Sequence, residues 1–117
     1  QVFSPDVHID TSIDGGGIID GADTFIDFIR ETLNDVTTVH HGHMPELELT
    51  SASSATGIWA MEDRIWFPDG APVSRLVGYG HYHETYRRTD EGWRIASMRL
   101  TRLHRVLILD RTQSFAG

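Results

Sequence analysis

Five of the seven histidines fall in two clusters, His40-His41-Gly42-His43 and His81-Tyr82-His83. A carboxylate, Asp63, ends the alternating stripe Ala55, Gly57, Trp59, Met61. Imidazole titrates at about 6.5, close to working pH, so it serves as a general base where a proton must leave carbon. A carboxylate within reach of the ring fixes its tautomer and steadies the imidazolium that forms. Asp63 stands out because a charged group in an apolar, aromatic stripe is costly to bury unless it is hydrogen-bonded or has a task. The plainer reading is a strand-end carboxylate paired with Arg64. An acid for a leaving hydroxyl or an enolate oxygen would come from Tyr82, with Tyr79 behind it. The chemistry such a set performs is dehydration of a 3-hydroxy carbonyl compound, or isomerisation beside a carbonyl. Histidines two apart on a strand also point the same way, so His81 and His83 with His41 or His43 form a rival, metal-binding set.

These residues need strands to position them. Asp6 to Ile13 alternates Val7, Ile9, Thr11 and Ile13 against polar neighbours, the period of a strand with one buried face, and Asp14-Gly15-Gly16-Gly17 ends it. From Gly21 to Asn34 the apolar residues Phe25, Ile26, Ile29 and Leu33 recur at helical spacing, with Asp20 or Asp23 as the expected cap. After Val36 the pattern reads as strand over about 36–50, 54–67, 74–89 and 92–106, separated by Ser51 to Ser54, Pro68-Asp69-Gly70-Ala71-Pro72 and Thr89-Asp90-Glu91-Gly92. The expected order is strand, helix, then four antiparallel strands. Gly57, Gly78 and Gly80 inside long strands predict bends, and a bent sheet makes a cup partly filled by the helix. Strand alternation puts Gly78, Gly80, Tyr82, Glu84 and Tyr86 on one face and Tyr79, His81 and His83 on the other. Whether His40 faces inward depends on a bulge between Gly42 and Met44, which the sequence leaves open. The tail after Arg105 is expected to extend the last strand briefly and then, from Thr112 to Gly117, to lose order.

At 117 residues and 13.2 kDa, with 39% hydrophobic and 23% charged residues, the chain has the size and balance of one soluble domain. There is no cysteine, hence no disulfide, thiolate nucleophile or cysteine-zinc site. The net charge of -7 is uneven: residues 1–50 carry ten carboxylates against Arg30 alone, and residues 74–117 carry eight arginines against four carboxylates. An acidic first half argues against a nucleic-acid binder, which needs a coherent basic face. No apolar run approaches the ~20 residues that span a bilayer, and the acidic start is unlike a signal peptide, so no membrane partner and a cytoplasmic location are expected. Gly15-Gly16-Gly17 lacks the lysine and spacing of a phosphate loop.

Three stretches together resemble the SnoaL-like branch of the NTF2-like superfamily. They are Thr38-Val39-His40-His41, the Ala55-x-Gly57-x-Trp59-x-Met61-x-Asp63 strand, and Gly78-Tyr79-Gly80-His81-Tyr82-His83-Glu84-Thr85-Tyr86-Arg87-Arg88 followed by Gly92-Trp93-Arg94-Ile95. That group includes polyketide cyclases, scytalone dehydratase, bile acid 7α-dehydratase and ketosteroid isomerase-like proteins. The resemblance implies an α+β cone, a curved antiparallel sheet wrapped around helix with a central apolar pocket. It implies a histidine base or acid at His40 and a polar partner at Asp63. The tyrosine and aspartate that the family carries on its first helix have no counterpart here, so an upstream helical segment is expected to be missing.

The expectation is a single domain acting as a small, cofactor-independent and metal-free lyase or isomerase. His40, Asp63 and Tyr82 are the catalytic residues, and Trp59, Met61, Tyr79, Glu84, Tyr86 and Arg99 line a site for a hydrophobic hydroxylated or keto molecule of steroid, polyketide or aromatic type. A non-catalytic ligand-binding or scaffold module of the same fold is the alternative. A sheet this large with one helix is expected to find a second subunit, most simply as a two-fold dimer.

Overall fold

Residues 2–109 are described by a computed structural model. Seven strands and one helix follow one another as β1 (Phe3–Asp10), β2 (Ile18–Asp20), α1 (Ala22–Thr32), β3 (Thr37–Gly42), β4 (Glu46–Leu49), β5 (Ser54–Trp66), β6 (Val73–Thr89) and β7 (Gly92–Leu109), with a 3₁₀ turn at Ser12–Asp14. The sheet runs β2-β1-β7-β6-β5-β3, and β4 pairs with β5 beyond the end of β3. This is the curved α+β sheet of the NTF2-like fold, corrected in one respect. It is mixed, because β1 lies parallel to β7 while every other pairing is antiparallel.

The helix lies over one face of the sheet, called the inner face below. Val7, Ile9 and Phe25 form its buried centre, with Phe28, Ile29, Ile95 and Met98 packed around them. Phe3 meets Phe25 edge-on, ring centres 5.4 Å apart, an arrangement that aromatic quadrupoles favour. The helix begins after Gly21, whose φ of 99° only glycine adopts easily, and no side chain caps it. Neither Asp20 nor Asp23 performs that role.

Further corrections follow from local chemistry. The first strand is shifted toward Phe3 and stops at Asp10, because Asp10 turns back to bond both the backbone N–H and the hydroxyl of Ser12. The three-residue β2 is too short to leave a periodic signal. The expected strand 36–50 is two strands, broken over His43 to Pro45; proline has no N–H to give a ladder. That break shifts the alternation by one residue. His40 pairs with Asp63 and Leu47 with Gly57, so both face inward although seven positions separate them. A second shift lies where the β6–β7 register slips between Thr85 and Tyr86. It brings Trp93 and Ile95 onto the face of Met98, Leu100 and Arg102, and leaves Ser97 and Arg99 on the other. The last strand continues to Leu109; the expectation for Thr112 to Gly117 lies outside the described residues.

Candidate active site

The β5–β6 ladder lays the inner face out in rows: Asp63 opposite Gly78, Met61 opposite Gly80, Trp59 opposite Tyr82, Gly57 opposite Glu84, and Ala55 opposite Tyr86. At one end β3 adds His40 beside Asp63, and β7 adds Arg102 beside Gly80. His40 Nε2 stands 3.7 Å from Asp63 Oδ2. This is longer than a hydrogen bond, so the two groups are neighbours without a direct bond. The two groups differ in exposure: the His40 side chain is 42% open to solvent and the Asp63 side chain 4%.

Asp63 does not pair with its neighbour Arg64. Its counter-ion is Arg102, which donates Nη1–H to Oδ1 at 2.8 Å and Nη2–H to Oδ2 at 3.1 Å, the forked geometry that a guanidinium gives a carboxylate. The same guanidinium reaches Asp14 on the 3₁₀ turn, Nη2 to Oδ2 at 2.8 Å, and Arg105 binds Asp14 Oδ1 at 2.9 Å. Two acids and two arginines thus form one network under His40. Two carboxylates and desolvation pull the Arg102 guanidinium in opposite directions, and the carboxylates prevail, raising its pKa further. Sequence reasoning missed Asp14 and Arg105 as members of this network. The signal for Arg102 was present. It is a cation in the stripe Met98, Leu100, Arg102, the same anomaly that marked Asp63; it lies across from Gly80, and its guanidinium occupies the space that a side chain at Gly78 would take.

Tyr82 sits two rows along. Burial, reinforced by the negative charge of Asp63, pushes its phenol up to about 12, so it keeps its O–H and stays neutral at ordinary pH. Met61 is 3% exposed and packs its sulfur 3.9 Å from Arg102 Nη1, a supporting rather than a lining position. Farther along, Trp59 Nε1–H donates to Tyr86 Oη at 2.8 Å. Burial raises the Glu84 carboxyl, and a hydrogen bond from Tyr86 partly offsets this. Leu47, Leu49, Ala55, Trp59, Tyr86 and Trp93 bound an apolar cavity of about 420 Å³, a size suited to a small molecule. Tyr82 and the Asp63 end do not line it. At 3.3–3.4 Å per residue, the Glu84 row lies about 20 Å from the Asp63 row.

Tyr79 and Arg99 are on the outer face, opposite Glu62 and His83 respectively, and cannot line an inner site. The remaining clustered histidines are there too. His41 Nδ1 and His43 Nε2 approach Glu62 Oε1 at 3.2 and 3.8 Å. His83 Nε2 bonds Thr101 Oγ1 at 3.0 Å, its ring 6.3 Å from that of His81. Burial, helped by nearby Arg99, lowers the His83 pKa. Among the described residues no three His, Asp or Glu side chains are grouped to hold a metal ion, so the rival set of His81 and His83 with His41 or His43 does not assemble. No described helix is long and apolar enough to cross a membrane.

The fold has close structural relatives of low identity. The Kfla4162 protein of Kribbella flavida superposes with a TM-score of 0.80 at 22% identity, over 90% of this chain and 74% of the other. The LinA-type3 hexachlorocyclohexane dehydrochlorinase of Novosphingobium barchaimii gives 0.78 at 17%, over 92% and 73%. A candidate scytalone dehydratase of Novosphingobium aromaticivorans gives 0.77 at 16%, over 90% and 68%. In sequence, residues 1–99 match the family described as SnoaL-like domain. With most of its length inside that match and its sheet and helix arranged as in these relatives, the chain belongs to the SnoaL-like family of the NTF2-like superfamily.

Proposed function

We propose that the protein is a small lyase or isomerase that moves protons without a cofactor, with His40 as base, Asp63 as its charge partner and Tyr82 as acid. The observation behind this is a carboxylate, 3% exposed overall, gripped by the Arg102 guanidinium and placed 3.7 Å from an imidazole that is itself open to solvent. In an elimination, His40 Nε2 takes the proton from the carbon next to an electron-withdrawing group. The C–H electron pair becomes the new double bond and the leaving group departs with its own pair. A departing hydroxide takes the Tyr82 proton and leaves as water, and the imidazolium then returns its proton to the phenolate through solvent. The Asp63 charge stabilises the imidazolium in between. For an isomerisation the same base returns the proton at a second carbon. Two structural neighbours bear the names of a dehydrochlorinase and a dehydratase, both eliminations, which supports this class. The apolar stretch from Trp59 to Tyr86 suits a hydrophobic, ring-containing substrate of steroid, polyketide or aromatic type.

The test is proton exchange in D₂O. Wild-type protein, His40→Ala and Asp63→Asn are incubated with cyclic ketones, 3-hydroxy ketones and chlorinated cyclohexanes while NMR follows loss of the α-proton and any alkene formed. Exchange or elimination by wild type alone supports the reading. A second reading, a non-catalytic binding module, is favoured by one observation: the apolar cavity is bounded by residues other than His40, Asp63 and Tyr82. Tight binding of these compounds with no exchange in any of them would select it.

A further inference from the structure

The last strand has an unusual edge. β1 runs beside β7 only as far as Asp10 opposite Arg99, whereas β6 accompanies the other side to Val73 opposite Leu109. From Leu100 to Leu109 no strand among the described residues occupies the β1 side. This edge is apolar: Leu103 is 74% exposed, Leu109 62%, Leu107 49% and Val106 41%. An unpaired strand of this composition is a template for another strand, and natural proteins usually blunt such edges with free charge or proline. Here there is no proline between residues 100 and 109, and the two arginines are already committed, Arg102 to Asp63 and Asp14, Arg105 to Asp14. Two register slips interrupt its ladder with β6, one at Leu103 and one between Ile108 and Leu109, and they leave 104–108 as a regular run.

We propose that this edge pairs antiparallel with the same edge of a second copy, so that one sheet continues across a two-fold axis near Val106. The charges favour a second copy over a foreign charged segment, because arginines neutralised from within offer such a segment little to grip. Self-complementarity fixes the register. Centring on Val106 sets Leu103 opposite the partner subunit's Leu109 and Arg105 opposite the partner subunit's Leu107, with no two cations face to face. Centring on Arg105 or His104 would oppose like groups, which cross-strand pairing disfavours. A two-fold contact of this kind is closed and stops at two subunits.

Sedimentation velocity over a wide range of concentration, with amide hydrogen exchange on the same samples, tests the proposal. The expected result is a mass that doubles as concentration rises, with protection of amides in 103–109 lost on dilution. Leu103→Lys/Leu109→Lys, which alters two exposed side chains, should keep its circular dichroism and melting temperature and stay at the monomer mass where wild type is dimeric. A wild type that stays monomeric at the highest concentration overturns the proposal, as does a double variant that still dimerises. Protection of 103–109 that ignores concentration also overturns it and assigns the edge to a segment of the same chain.

Discussion

Gly78 faces Asp63 directly across the β5–β6 ladder, and the volume a side chain would take there is already filled. A Cβ built on Gly78 would stand 2.5 Å from Asp63 Oδ1 and closer still to the Arg102 guanidinium. The glycine is thus the negative image of the ion pair. Gly78→Ala is expected to destabilise the fold by about 1–3 kcal/mol, the usual cost of overpacking, and to displace Asp63 from His40. A urea melt checks the first effect. A Gly78→Ala protein as stable as wild type would show that the pair moves freely.

Arg102 should matter more to stability than any other charged residue of the site. Its side chain is 10% exposed and that of Asp63 4%, so replacing it by Met leaves a desolvated carboxylate without its counter-ion. Removing one partner of such a pair costs about 3–5 kcal/mol. Adding Asp63→Asn to Arg102→Met should recover part of the loss, with a coupling of about 0.5–3 kcal/mol in the double-mutant cycle. Strictly additive losses would mean that the two side chains act independently.

His40→Ala separates chemistry from structure. With 42% of its side chain in solvent, the ring contributes little to packing, and the melting temperature should stay within a few degrees of wild type. Turnover of any substrate found by the exchange assay should fall by about 10²–10⁴-fold, the contribution usual for a general base. A variant that unfolds instead would make His40 a structural residue.

Tyr82 makes a prediction about alkali. Its phenol is raised in the folded protein to about 12 from an ordinary 10.0, so between those values the folded chain holds a proton that the unfolded chain has lost. The stability this brings is complete below pH 10 and is lost as pH rises through about 12. Phenolate absorbance should show Tyr82 titrating only near that upper value, and Tyr82→Phe should flatten the decline in stability across the interval. A Tyr82 that ionises with its ordinary value would place its hydroxyl in water.

Much of this fold was legible because its strands are long. The alternation in Ala55 to Asp63 and Gly78 to Tyr86 runs uninterrupted, so the faces read from the sequence are those of the ladder. Legibility failed wherever one residue too many enters a strand. His40 could not be placed, since the irregularity at His43 to Pro45 is visible only in the pairing. Ser97 and Arg99 exchange faces with their expected neighbours for the same reason. Asp14 was unreadable for a different reason: it reaches Arg102 across 88 positions, and no local pattern encodes a contact set by the parallel docking of β1 on β7.

The interruption between β3 and β4 also has an engineering consequence. Because β5 serves as one continuous template for both short strands, deleting a single residue such as Met44 would not simply shorten a loop. It would set the imidazole at 40 and the leucines at 47 and 49 in competition for the same side of that template, and whichever lost would turn its side chains to the back of the sheet. A length change of one residue would then act as a toggle, trading a reactive group for a greasy wall without altering any functional side chain.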